Sequence, residues 1–394
     1  MIIENVRIYT EQGKFCFGTV VIENGKIADI NLGESADFAE RSKNYCKEDH
    51  EILDGGGKYL IPGMIDIHLH GCKGYDFCDG SLEAVERIAE YQASTGVTTM
   101  ALATMTLPTD RLQAVLEQGA AYCEKKSRGE YAAYADLAGI NMEGPFISKE
   151  KCSAQNAEYI KKPQTELFEA FQESAKGLVK YMGMAPEAEG ALEFIRKIKE
   201  QIKLSIAHSN ACYEEARAAF EAGACHVTHL YNGMSAFNHR EPGIVGAVYD
   251  CKEVEVELIA DGVHVHPSMI RATFQMLGKD RVILISDSIR AAGMEPGEYE
   301  LGGQKIKLQK NRAVISGTQT IAGSVASLPE GLRYVVKETG IPLEVAVQCV
   351  TKNPARSLGI YEECGSVSVG KRADLVLLDE DLNVTAVVKN GVLI

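Results

Sequence analysis

The chain has 394 residues, 45% of them hydrophobic, which is long for one average domain and suits a large domain with a smaller companion. Acidic residues outnumber basic ones by 55 to 41, giving a formal net charge of -14, which argues against a nucleic-acid or anionic-membrane surface. No apolar run reaches the length of about 18 residues that a membrane span needs, and any anionic ligand would require a local basic pocket.

The opening stretch "MIIENVRIYTEQG" has no basic region followed by an apolar one, so no export signal is expected there. The 11 cysteines are scattered, odd in number and free of any Cys-x-x-Cys pair. Together these features predict reduced thiols, used mainly for packing, in a cytoplasmic protein. Cys72 and Cys78 follow a histidine pair, so a thiolate ligand there is a minor alternative.

The two ends of the chain look alike. Short alternating strands surround Asn24-Gly25 near the start and Asn390-Gly391 near the end, each a hairpin signal. A small β-sandwich domain is therefore expected from residues 1–54 plus 360–394, with a larger domain, 55–359, inserted between them. Segment 31–50 is polar and irregular and reads as a loop.

Apolar strand-like runs recur through the middle at 59–70, 97–104, 137–144, 179–187, 203–209, 225–230, 255–262 and 281–288. Amphipathic helices lie between most of them. "SLEAVERIAEYQAST" (81–95) starts on a serine N-cap candidate, and "YEEARAAFEAG" (213–223) stops on a glycine. Eight strands alternating with helices predict an α/β fold, a (β/α)8 TIM-like barrel. Residues 295–315 read as an extra hairpin and 342–359 as a terminal helix.

Active sites of such barrels lie at the carboxyl ends of the strands. In "IDIHLHG" (65–71), His68 and His70 alternate on one strand and so face the same way. Glu143, His208, His229, His264 and Asp287 fall at the ends of the third, fifth, sixth, seventh and eighth runs. Five of the nine histidines thus sit at predicted strand ends, where surface scatter would have spread them over loops. His50 and His239 look like such loop residues, and His226 like a core or helix-facing one. Imidazole and carboxylate are ligands for Zn²⁺ and similar ions, which lower the pKa of bound water toward about 7. His68 with His70, and His208 with His229 and a bridging Glu143, are therefore expected to hold one or two divalent ions per chain. Zinc is expected first, with Fe, Mn, Co and Ni open. Asp287 would be the catalytic proton shuttle.

These residues resemble the amidohydrolase superfamily. Within it, "PGMIDIHLHG", "NMEGPF", "AHSNA", "THLYNGMSAFNHREPG", "IADGVHV", "LISDS" and "IAGS" are similar to the N-acetylglucosamine-6-phosphate deacetylase family over essentially the whole chain. The resemblance implies hydrolysis of the acetamide of an N-acetyl-hexosamine 6-phosphate. It assigns Glu143, His208 and His229 to one metal position, His68 and His70 to a second, and Asp287 to catalysis. It places Asn232, Gly233, Arg240 and His264 on the sugar phosphate, and Ala154, Gln155, Ile321, Ala322 and Gly323 among the substrate contacts. It also implies a homodimer, with Arg240 and His264 reaching the neighbouring subunit's site. Two departures stand out. Gln155 occupies the place of a family histidine and cannot carry a proton at neutral pH. Gly233 stands where many members carry alanine, which reads as a mild change. The galactosamine epimer and other amides stay open as substrates. The strand-four end, "MAPE", lacks the bridging lysine of cyclic amidases. A metal-free binding barrel would have lost these ligands one by one, and here all are present.

Overall fold

The computed structural model describes residues 1–33 and 51–394. The expected loop at 31–50 lies almost wholly outside the described residues, as do Cys46 and His50.

Eight parallel strands build the barrel: β1 (Met64–Leu69), β2 (Val97–Thr104), β3 (Asp136–Phe146), β4 (Val179–Met184), β5 (Lys203–Ile206), β6 (His226–Val227), β7 (Glu255–Ile259) and β8 (Val282–Ile285). Each pairs with its sequence neighbour, from β1 through to β8. Their sequences are near-continuous apolar runs because helices cover one face and the barrel interior fills the other. All eight residues of β2 are buried. The return from β8 to β1 runs through backbone bonds just beyond the strands: Asp287 N–H to the His68 carbonyl at 2.9 Å and His70 N–H to the Ser288 carbonyl at 2.8 Å. Candidate site residues thus carry the barrel's closing bonds.

The helices follow local signals. Ser81 caps helix Leu82–Ser94 by accepting from the Ala84 N–H, and Gly223, at φ 128, ends helix Tyr213–Ala222. The terminal helix is interrupted. It divides into Leu343–Val350 and Lys352–Ser357 at Thr351, because Pro354 has no N–H to continue the ladder. The extra hairpin is a three-stranded antiparallel sheet of Gly297–Leu301, Gln304–Gln309 and Arg312–Ile315.

Both chain ends meet in one mixed sheet. Tyr59–Pro62 lies at its centre, parallel to Ile2–Tyr9 and antiparallel to Leu375–Leu378. The run expected as one strand over 59–70 is therefore two strands in two sheets, changing at Gly63. A Cβ there would fall 2.1 Å from Thr98 Oγ1, so the crossing admits only glycine. Asn24 and Gly25, and likewise Asn390 and Gly391, all have positive φ, as two-residue hairpin turns require. An ionic cluster ties this sheet to the barrel. The fully buried Lys389 reaches Asp136 at 2.6 Å and Asp374 at 2.9 Å, and Arg372 pairs with the same two carboxylates.

Candidate active site at the carboxyl ends of the strands

The barrel topology brings the six converging side chains to one mouth. His68 is the penultimate residue of β1, and His70 lies just past its end. Glu143 sits in the last turn-ward residues of β3. His208, His229 and Asp287 each stand two residues beyond β5, β6 and β8. These three share an uncommon backbone, with φ of 45°, 29° and 49°. Such conformations cost on the order of 1–3 kcal/mol each and cluster where a site demands them.

The distances separate two groups. Glu143 Oε1 lies 2.8 Å from His229 Nε2 and 3.0 Å from His208 Nε2. Asp287 Oδ1 lies 3.3 Å from His70 Nε2 and 3.7 Å from His68 Nε2. In each trio, Glu143/His208/His229 and His68/His70/Asp287, one donor atom per residue falls within 4.8 Å of the others, and every residue is buried. The trios adjoin, since Glu143 Oε2 is 3.5 Å from His70 Nε2.

Three of the four rings have their outward nitrogen tied. His208 Nδ1 lies 2.8 Å from the Lys151 carbonyl, His229 Nδ1 3.1 Å from the Asn232 carbonyl, and His68 Nδ1 2.8 Å from Glu257 Oε2. Their Nε2 atoms all face the centre. His68 Nε2 is buried with no hydrogen-bond partner. A divalent cation suits these donors, because imidazole ligands commonly anchor their second nitrogen in this way.

Charge matches this arrangement. Burial would raise the Glu143 carboxyl, but His208, His229 and His68 outweigh it and hold the group well below the carboxylate range. Burial likewise opposes ionisation of Asp287, and His70 and His68 reverse that. Burial works against protonation of His68, yet Glu257 prevails and lifts the ring to about 10. Asp66, beneath the centre, is pushed up by burial to about 7.

A cavity of about 320 Å³ opens over these residues. His70, Glu143, His208, His229 and Asp287 form its floor. Met105, Ile289 and Leu301 supply apolar lining, and Leu301 comes from the three-stranded insert. Asn232 and His264 supply polar lining.

A sequence model of the amidohydrolase family matches residues 59–394. The chain belongs to the amidohydrolase family. It is 36% identical over 393 residues to an N-acetylglucosamine-6-phosphate deacetylase of Bacillus subtilis (strain 168), covering 99% of this chain and 96% of that protein. It is 34% identical over 334 residues to an N-acetylgalactosamine-6-phosphate deacetylase of Escherichia coli O157:H7, covering 84% and 87%. Among solved structures, a mutant N-acetyl-D-glucosamine-6-phosphate deacetylase of Mycobacterium smegmatis, in complex with N-acetyl-D-glucosamine-6-phosphate, superposes with a TM-score of 0.88 at 31% identity. That match covers 100% of this chain and 98% of the other.

Most residues singled out from the sequence of this amidohydrolase meet at the cavity. Ala154, Gln155, Asn232, Gly233, His264, Ile321 and Gly323 line it. Ala322 does not; it is buried in the apolar cluster with Ile289 and Leu301. Arg240 is exposed and lines a separate hollow with Asn210, Tyr213 and Asp250. His264, expected to serve a neighbouring subunit, follows β7 and lines the cavity of its own chain. Asp261 holds it there, with Oδ2 2.7 Å from His264 Nδ1 and Oδ1 accepting the His264 N–H.

Gln155 was expected to meet substrate, but its amide also serves the floor. Nε2 donates to Glu143 Oε2 at 2.7 Å, and Oε1 accepts from the Thr106 N–H. Gly233 is not a mild replacement for alanine. Its φ is +62°, and a Cβ would fall 2.9 Å from His208 Nδ1. Cys72 and Cys78 belong to neither candidate metal group among the described residues, and burial raises both thiols. His226 is a core residue, as expected. Glu257 was missed. A glutamate in "VEVELIADG" passes for a solvent-facing strand residue. The available signal was its position in a parallel barrel strand, where both faces are buried.

Proposed function

We propose that this amidohydrolase hydrolyses the acetamide of N-acetyl-D-glucosamine 6-phosphate, giving acetate and D-glucosamine 6-phosphate. One observation carries the reading: Asp287 stands beside two adjoining trios of metal-ligating side chains at the floor of a small cavity. The full-length similarity to deacetylases of this substrate supports it.

Glu143, His208 and His229 would hold one divalent ion, and His68 and His70 a second beside Asp287. Zinc fits these nitrogen and carboxylate donors first, with Fe, Mn, Co and Ni as alternatives. Such an ion, when bound, acidifies water and draws charge from the acyl oxygen. Asp287, kept ionised by its imidazole neighbours, takes a proton from the attacking water. It then delivers that proton to the amide nitrogen as the C–N bond breaks. Gln155, Asn232, Gly233, His264 and the strap Ile321–Gly323 orient the sugar phosphate. Gln155 cannot supply a proton and so serves only as a hydrogen-bonding group, leaving proton transfer to Asp287 in this reading.

The phosphate calls for a cation, and Arg240 lies outside this chain's cavity. We therefore keep a homodimer in the proposal, with Arg240 of the partner subunit closing the site. The division into 1–54 plus 360–394 and 55–359 is retained in the same sense, with Tyr59–Pro62 of the second part supplying the central strand of the terminal sheet. So is a cytoplasmic setting, in keeping with the ten unpaired cysteines among the described residues. Among the described residues no helix is long and apolar enough to cross a membrane.

The test is acetate release by the metal-loaded protein from N-acetylglucosamine 6-phosphate, its galactosamine epimer and unphosphorylated N-acetylglucosamine. Fastest release from the first supports the proposal. Faster release from the epimer would move it to the second reading, which the Escherichia coli relative favours. Release from none would overturn both.

A further inference from the structure

Glu257 lies on β7, a strand that contributes none of the six converging side chains. It is fully buried in the barrel interior, where its polar neighbours are His68, Asn141 and His226. Both oxygens are engaged. Oε2 lies 2.8 Å from His68 Nδ1 and accepts the His229 N–H at 3.3 Å. Oε1 lies 3.1 Å from His226 Nε2 and accepts from Asn141 Nδ2 at 3.2 Å. One carboxylate therefore joins β1, β3 and β6, the strands that carry His68, Glu143 and His229.

We infer that Glu257 is a positioning residue that sets which nitrogen of His68 faces the centre as a free donor. The inference rests on the metal reading above. A histidine that ligates a metal must be neutral, whatever its charge in the metal-free protein, and so has one ring proton to place. On Nε2 that proton would point between Glu143 and Asp287 and block a cation. It would also leave the Nδ1 lone pair against a carboxylate lone pair. On Nδ1 it completes a charge-assisted hydrogen bond and leaves Nε2 open toward the centre. Nε2 is the atom with no partner among the described residues.

The anchor is selective. His208 and His229 tie their Nδ1 atoms to backbone carbonyls, which no side-chain substitution removes. His70 Nδ1 has no partner among the described residues. Glu257 is thus the nearest side-chain anchor of the His68/His70 pair among the described residues, with Asn141 Nδ2 farther from His68 Nδ1 at 3.4 Å. His226 acquires a purpose as well: with Asn141 it fixes Oε1, so that Oε2 stays aimed at His68.

The experiment is Zn²⁺ titration of the metal-free full chain and of Glu257→Gln, with bound metal counted. ¹⁵N NMR of the histidine rings is recorded on the Zn²⁺-loaded wild type. Glutamine keeps the shape but offers either an acceptor or a donor to Nδ1, so it no longer dictates the proton's place. The expected result is one position weakened about 10–100-fold in the variant, the other unchanged, and a wild-type His68 protonated on Nδ1. A merely structural role would lower the melting temperature without separating the two positions. Equal affinities in the variant, a His68 proton on Nε2, or a wild type whose single ion sits on Glu143, His208 and His229 would each overturn the inference. Should the variant fail to fold, the wild-type spectrum alone decides. Uptake of no Zn²⁺ by the wild type would instead overturn the metal reading itself.

Discussion

Gln155 and Glu143 share a hydrogen bond of 2.7 Å, made to the carboxylate oxygen that the flanking imidazoles of His208 and His229 leave free. The glutamine is therefore part of the floor as well as part of the wall. Gln155→Ala should reduce metal affinity at the Glu143 group about 10-fold or more, the usual effect of removing a ligand's hydrogen-bond partner. Metal titration checks this. Unchanged affinity with a raised KM would reduce Gln155 to a substrate contact alone.

Asp287→Asn should lower acetate release by about 10²–10⁴-fold, the scale of lost general acid–base catalysis. The ion on Glu143, His208 and His229 should remain, since Asp287 belongs to the other trio. Turnover and metal content are read on one sample. Wild-type turnover in that variant would remove Asp287 from the mechanism.

Gly233→Ala places a methyl group against His208 and puts a side chain at φ +62°. The backbone cost alone is about 1–2 kcal/mol. A lower melting temperature and weaker metal binding are expected together.

Lys389 and Asp136 predict the response to acid. Burial would raise the Asp136 carboxyl, but Lys389, Arg372 and Lys126 lower it below its usual value. A depressed carboxyl contributes stability that is complete above the unfolded value of about 3.9 and is lost as pH falls through the folded value. Lys389→Met should destabilise at neutral pH, by at most about 3–5 kcal/mol, because it takes a buried cation from Asp136 and Asp374 while Arg372 stays paired with both. Thermal melts from pH 7 down to 3 should show that difference narrowing as Asp136 protonates. A pH-independent gap would point to packing instead.

Met105 and Leu301 predict acyl-chain selectivity. Both supply apolar lining to a cavity whose floor is polar. Met105→Ala or Leu301→Ala should raise the propionyl-to-acetyl ratio of kcat/KM about 10-fold, the worth of one methylene in a hydrophobic pocket. An unchanged ratio would place the acyl group elsewhere.

Much of this site was legible because its chemistry follows a simple rule of position. His68 and His70 alternate on a strand, and His208, His229 and Asp287 end apolar runs. What escaped depended on contacts between distant segments. Gly63 divides one apolar run between two sheets, which nothing local announces except a glycine. Glu257 reaches His68 only because β7, two strands from β1 around the closed barrel, turns this side chain into the interior. Histidine and aspartate enter the left-handed region more often than most side chains but still uncommonly, so no local pattern betrays it at His208, His229 and Asp287. The break at Thr351, by contrast, could have been read from Pro354.

The mixed sheet at the chain ends has a consequence for synthesis. Tyr59–Pro62 emerges early from the ribosome, yet its antiparallel neighbour Leu375–Leu378 follows roughly 300 residues later, about 15–60 s at common elongation rates. Throughout that interval the nascent chain carries an unpaired apolar edge beside a growing barrel. Such an edge is an open invitation to other nascent chains. The yield of folded protein should therefore depend on how well the cell shields the first 62 residues until the last strands arrive.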